Sequence, residues 1–200
     1  MKTGVARDGI LPVCLGGSAG GLQGYTNILR KPPSDWGMAC MIAAHRAPEH
    51  AQLLPHLPGA VTEMPVVEVK EGMRLAPNRV FVIPPRTDMT TPGNEFRLRT
   101  TARPPGWPKT INRFLFSLPT AIGRRAVAVN LSGLDGDRCA ASKSIKATGG
   151  MTFAQSDPTI ESMPREAVET RPYRPHVAGR LNREGTAGFD PRAFANREVR

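Results

Sequence analysis

Apolar residues in this chain fall into short unbroken runs, each closed by glycine or polar residues, a pattern that separates buried strands from their loops. Ile10 to Leu15 is the first run. It stops at Gly16-Gly17-Ser18-Ala19-Gly20-Gly21, and Leu22 to Leu29 then carries helical spacing, which predicts strand, tight loop, helix. Met38 to Ala44 repeats the unit. Its continuous apolar character suits a strand covered on both faces, it ends at His45, and Pro48 fits the first turn of a helix carrying Leu53, Leu54 and Leu57. Val66 to Val69 and Arg79 to Ile83 are β-branched runs separated by Gly72 and Pro77-Asn78, and both predict strands. Asp88 to Thr91 and Glu95 to Arg99 flank Pro92-Gly93-Asn94, whose composition suits the reversal of an antiparallel hairpin. A proline-rich loop from Arg103 to Pro108 leads into helical spacing at Ile111, Phe114, Leu115 and Leu118, which Pro119 ends or kinks. Ala126 to Leu131 is a further buried strand. After it come the polar loop Ser132 to Asp137, a helix through Ala141, Ile145 and Ala147 closing at Gly149-Gly150, and a short strand from Met151 to Ala154.

Strands that alternate with helices and are apolar on both faces predict an α/β fold: a doubly wound, mainly parallel sheet with helices on both faces and an antiparallel hairpin. From Thr170 the texture changes. Arg171, Arg174, Arg180, Arg183, Arg192, Arg197 and Arg200 are interspersed with proline and glycine. The expected organisation is one domain over residues 1–169 and a poorly packed tail over 170–200.

Composition agrees with a single folded domain: of 200 residues, 40% are apolar and 22% charged, far from the signature of disorder. No apolar run is long enough to span a bilayer and no secretory signal pattern opens the chain, so a cytoplasmic location without membrane insertion is expected. Cys14, Cys40 and Cys139 form no C-x-x-C pair and read as buried or incidental thiols. The net charge of +10 favours anionic partners in general. Its Lys and Arg residues are scattered, with no block of basic residues and no aromatic-interleaved motif, so a solvated basic surface is expected and a nucleic-acid partner is not.

Ligands of open α/β sheets bind beyond the carboxyl ends of the strands, where three polar loops leave this sheet: Gly16 to Gly21, His45 to Pro48, and Ser132 to Asp137. They carry Ser18, His45, and the pair Asp135 and Asp137, the residue types of a nucleophile, a base and an orienting carboxylate. Gly16 to Gly20 satisfies G-x-S-x-G, in which small neighbours let a sharp strand-to-helix turn expose the hydroxyl and let backbone N–H groups reach an oxyanion. The same loop also suits a phosphate held at a helix N-terminus, although it lacks both the Lys-Ser/Thr of a P-loop and the G-x-G-x-x-G dinucleotide fingerprint. His45 to His50 misses the H-x-x-E-H metal signature by one residue, and Pro48 disturbs the helix such a site needs, so no metal is expected. Asp137 opens a helix and is equally an N-cap candidate, Asp135 rivals it for the carboxylate role, and Cys139 has no histidine beside it in sequence.

At these loops the chain resembles the catalytic domain of the chemotaxis protein-glutamate methylesterases, the CheB family. The carriers are V-C-L-G-G-S-A-G-G at Val13 to Gly21, A-H-R-A-P-E-H at Ala44 to His50 and G-M-R-L-A-P-N-R-V-F-V-I-P-P at Gly72 to Pro85. They continue with A-V-N-L-S-G-L-D-G-D at Ala128 to Asp137, A-T-G-G-M at Ala147 to Met151 and M-P-R-E-A at Met163 to Ala167. The resemblance implies Ser18 as nucleophile, His45 as general base, and Asp137 rather than Asp135 as orienting carboxylate. It also implies oxyanion-hole N–H groups from Ala19 and Leu134, with Met163 and Arg165 lining the site.

The implied reaction is hydrolysis of γ-glutamyl methyl esters on chemoreceptor cytoplasmic helices, with deamidation of receptor glutamine as a further capability and no cofactor. Chemotaxis members usually carry an N-terminal receiver domain. Here nine residues precede the first apolar run, so an attached receiver is not expected and a receiver or methyltransferase would act in trans. Two departures favour an alternative, a weak or inactive receptor-binding adaptor. Arg138 stands where family loops place a small residue, with Asp135 as a second charge nearby. After Ala167 the chain runs Glu169-Thr170-Arg171-Pro172, where the family continues into an apolar strand, so the last sheet element is expected to be missing or irregular.

Overall fold

The computed structural model describes residues 10–17, 21–30, 34–35, 37–44, 61–84, 87–100, 113–118, 125–131, 139–155 and 179–181. Its elements are β1 (Leu11–Gly17), α1 (Gly21–Leu29), β2 (Met38–Ala44), β3 (Val66–Glu68), β4 (Arg79–Val82), β5 (Thr87–Thr90) and β6 (Arg97–Thr100). They continue with β7 (Val127–Asn130), α2 (Cys139–Ala147), β8 (Met151–Gln155) and β9 (Gly179–Leu181). Residues 113–118 are also helical.

Seven strands form one sheet in the order β3-β4-β2-β1-β7-β8-β9, and every pairing within it is parallel. The strand pair β5-β6 forms a separate antiparallel sheet. The centre of the main sheet is wholly inside: all seven residues of β1 and all four of β7 are buried. That is why these segments read as continuous apolar runs and not as alternating ones.

Side chains alternate between the two faces of the sheet and so divide the core in two. Val13 and Leu15 of β1, Cys40 and Ile42 of β2, and Val127 and Val129 of β7 pack with Tyr25, Ile28 and Leu29 of α1. Cys14, Met41, Phe81 and Ala128 face the other way, toward Phe114, Leu115 and Leu118, toward Met89 and Phe96 of the hairpin, and toward Ile145 of α2. The connection from β1 through α1 to β2 moves one way across the sheet, and that from β7 through α2 to β8 moves the other. With α1 and α2 on opposite faces, both crossovers have the same hand, as the parallel βαβ rule requires.

Local chemistry fixes the ends of these elements. The helix α2 closes as its sequence predicts: Gly149 takes φ +82°, its N–H donates to the Lys146 carbonyl at 3.0 Å, and that of Gly150 donates to Ile145 at 2.9 Å. This double closure is a Schellman motif, and Met151 N–H bonds to Ala126 at once, starting β8. The hairpin turns through Pro92–Asn94 and is stapled to the main body by backbone bonds and by ion pairs. Backbone bonds join Gly72 to Phe96 and Leu75 to Asn94, and an ion pair joins buried Asp88 to Arg113.

The structure differs from the sequence expectation at the C-terminal end. Where the last sheet element is expected to be missing or irregular, Gly179–Leu181 is present as a short strand, pairing with Phe153 to Gln155 of β8 as the edge of the sheet. Three residues suffice because the pairing is made by backbone groups, so an arginine such as Arg180 is no obstacle. The remainder of the expected tail and the helix predicted after Pro48 lie outside the described residues.

Candidate active site

The order of strands reverses at β1: β2 lies on one side of it and β7 on the other, which makes the carboxyl ends of β1 and β7 the topological switch point of the sheet. Register brings three chain exits to one level there. Gly17, the last residue of β1, pairs with Ala44, the last of β2, so Ser18 and His45 are the next residues after a matched pair on adjacent strands. On the other side Gly16 pairs with Asn130, and Leu131 N–H donates to the Gly16 carbonyl at 2.8 Å, so the segment that carries Asp135 and Asp137 departs beside the first two. Ser18, Ala19, His45, Leu134, Asp135, Asp137, Met163 and Arg165 themselves lie outside the described residues.

The floor under these exits is tight. A Cβ on Gly17 would lie 2.5 Å from the hydroxyl oxygen of Tyr25 and 2.9 Å from its Cζ, so only glycine fits at the residue before Ser18. Gly24 lets α1 approach the end of β7, since a Cβ there would lie 3.1 Å from the Leu131 methyl groups. The N-terminus of α1 therefore stands over the switch point, with no acidic residue in its first turn to offset the partial positive charge of its free N–H groups. Such an end favours an anion or a developing oxyanion beside the Ser18 loop.

Two polar residues at this end of the sheet were not among those the sequence pattern singles out. Tyr25 is 3% exposed, and its hydroxyl donates to the Ala43 carbonyl in a long bond of 3.4 Å. Asn130 is 1% exposed; its Nδ2 donates to the Phe153 carbonyl at 3.2 Å, while its Oδ1 has no hydrogen-bond partner among the described residues. A sequence signal exists for Asn130, the one polar side chain closing the run Ala126 to Leu131. For Tyr25 there is none, because an aromatic at helical spacing reads as ordinary core. No group of three or more potential metal ligands occurs among the described residues. The thiol of Cys40 is fully enclosed in β2, and desolvation pushes it up to about 12, so it takes no part in nucleophilic chemistry.

Comparison with known proteins agrees with the geometry. Residues 13–179 match the family model described as CheB methylesterase. A 104.1 kDa protein of Rhodobacter capsulatus is 40% identical over 116 residues, covering 54% of this chain and 12% of its own length. A protein named protein-glutamate methylesterase/protein-glutamine glutaminase 1 from Myxococcus xanthus is 24% identical over 172 residues, covering 83% of this chain and 50% of its own. The chain thus spans about half the length of the curated methylesterase relatives it matches. The crystal structure of the Thermotoga maritima CheB methylesterase catalytic domain superposes with a TM-score of 0.72 at 19% identity, covering 81% of this chain and 89% of that one, and so shares the fold. With a family model spanning β1 to the start of β9, and with the glycine-serine loop leaving the sheet at its switch point, the chain belongs to the CheB methylesterase family.

Proposed function

We propose that this chain is a serine hydrolase that removes methyl groups from glutamate methyl esters on the cytoplasmic helices of chemoreceptors, and deamidates glutamine at such sites. The observation that carries the reading is the register pair Gly17 and Ala44, which starts the Ser18 and His45 segments from adjacent strands at one level of the switch point. Ser18 attacks the ester carbonyl while His45 takes its proton, forming the acyl-enzyme and releasing methanol. Water activated by His45 then releases glutamate, and Asp137 holds the imidazole tautomer and offsets its charge. Ala19 and Leu134 supply the N–H groups for the oxyanion, reinforced by the uncompensated N-terminus of α1. Met163 and Arg165 line the substrate side. The chemistry calls for no cofactor.

The test is methanol release from methyl-esterified chemoreceptor membranes. Wild-type release that Ser18→Ala cuts at least about a thousandfold, at equal folded concentration, establishes the nucleophile. Asp137→Asn is expected to lower kcat strongly and Asp135→Asn only slightly, which separates the two carboxylates. The second reading, a receptor-binding adaptor, is favoured by Arg138 beside the carboxylate loop. A folded wild-type chain that binds receptor membranes and releases no methanol sinks the esterase reading and establishes the adaptor.

A further inference from the structure

We infer that Tyr25 is a positioning residue that sets the spacing between the strand ends carrying Ser18 and His45; the inference rests on the esterase reading above for the reaction it serves. Tyr25 sits on the second turn of α1, yet its phenol reaches two neighbouring strands at once. Its hydroxyl oxygen and Cζ lie directly against Gly17, 2.5 and 2.9 Å from where a Cβ on that residue would stand. The same hydroxyl donates to Ala43, two residues before His45. One buried side chain therefore spans α1, the last residue of β1 and the end of β2.

Its chemistry fits a strut better than a core filler. Leucine or phenylalanine would fill the space between α1 and the sheet, and neither would bring a hydroxyl needing a partner into a layer otherwise built from Val13, Leu15, Ile28 and Ile42. Glycine at position 17 has no other demand upon it in that layer: of the three atoms nearest its missing Cβ, two belong to Tyr25 and the third, Leu131 Cβ, lies at an ordinary 3.4 Å. The pair reads as glycine vacating space for the phenol, and the phenol fixing where the serine loop begins. A nucleophile and its base must be held within about half an ångström of their productive geometry, and misplacement by an ångström can cost about a hundredfold in rate. A contact one residue from the nucleophile and two from the base acts on that tolerance directly.

The experiment compares wild type, Tyr25→Phe and Tyr25→Leu by methanol release from methyl-esterified receptor membranes, by amide hydrogen exchange, and by thermal melting. Tyr25→Phe, which removes the bond to Ala43, is expected to lower kcat about three- to tenfold with KM within about twofold. Exchange should quicken only around residues 17–18 and 43–46. Tyr25→Leu, which removes the ring as well, should lower kcat further with the same localisation. Unchanged kcat and exchange in Tyr25→Phe overturn the inference. So does exchange that rises across the whole sheet alongside a melting loss and a parallel fall in kcat/KM through KM, since that marks a packing role alone. If the wild type is inert toward the ester while Tyr25→Phe still loosens only the two strand ends, the esterase reading falls and the strut stands.

Discussion

Cys40 shows how far a side chain's chemistry is set by where its strand runs. Burial in β2 with no opposite charge nearby keeps the thiol protonated, pushed up to about 12, so thiolate is scarce at any pH at which the protein is handled. Native protein should leave Cys40 unmodified by iodoacetamide at pH 8 while denatured protein is modified rapidly, a contrast that mass mapping reads directly. Gly17 is the converse, a position defined by the absence of a side chain. Gly17→Ala drives a Cβ against the phenol of Tyr25 and is expected to cost about 1–3 kcal/mol, the usual penalty of overpacking a filled interior, measured by chemical denaturation. Glu71 titrates for a third reason. The Leu98 N–H at 2.5 Å, and then the Arg97 guanidinium at 3.1 Å, stabilise its carboxylate and hold it below the usual carboxylate range. Since the folded value lies below the unfolded one, the contact is in place above the ordinary glutamate range and is lost as pH falls through the lowered value. The Leu98 amide resonance should follow that titration, and Glu71→Gln should abolish it.

At the level of elements, the hairpin β5-β6 is held by its contacts to the segment before β4, and Glu71 is one of them. Acidification is therefore expected to loosen β6 before it loosens β1 or β7, whose residues are all buried. The elements themselves were readable in proportion to how much of their pattern is side-chain chemistry. Met38 to Ala44 and Ala126 to Leu131 announce themselves because a strand covered on both faces is apolar almost throughout, Asn130 being the exception in the second run. The hairpin turn and the Gly149-Gly150 closure announce themselves because each requires backbone geometry that few residues adopt. By contrast β9 is an edge of three residues, made by backbone bonds in an arginine-rich stretch, and no apolar pattern marks it. The candidate site divides in the same way. Strand-to-loop transitions locate the Ser18, His45 and Asp137 segments along the chain, whereas the level at which they leave the sheet is a matter of register, which sequence does not carry. Tyr25 was illegible because its role depends on a missing side chain in another element.

For the whole molecule, β9 covers one side of β8 and so decides where the sheet stops being sticky. A chain truncated after residue 169 is expected to present the bare hydrogen-bonding edge of β8, and to aggregate at concentrations where the full chain stays monodisperse, which light scattering would register. A truncated chain that remains equally dispersed and equally stable would show that the edge strand is dispensable. The charge of +10 acts at this scale too, raising the rate of encounter with any acidic surface without choosing among such surfaces.

The pairing of Gly17 with Ala44 also carries a clock. These two residues are 44 − 17 = 27 positions apart, joined through a single βαβ unit, whereas Gly16 and Asn130 are 130 − 16 = 114 apart. Closing the shorter loop costs less chain entropy, and a ribosome finishes it first. The ends of β1 and β2 can thus be brought abreast while most of the chain is still unmade, whereas the pairing of β1 with β7 must wait for β7 to be made. On this account the protein passes through a stage in which β1 and β2 are paired and β7 has yet to join them. Pulse-labelled refolding, with β1 and β2 amides protected ahead of those of β7, would reveal it.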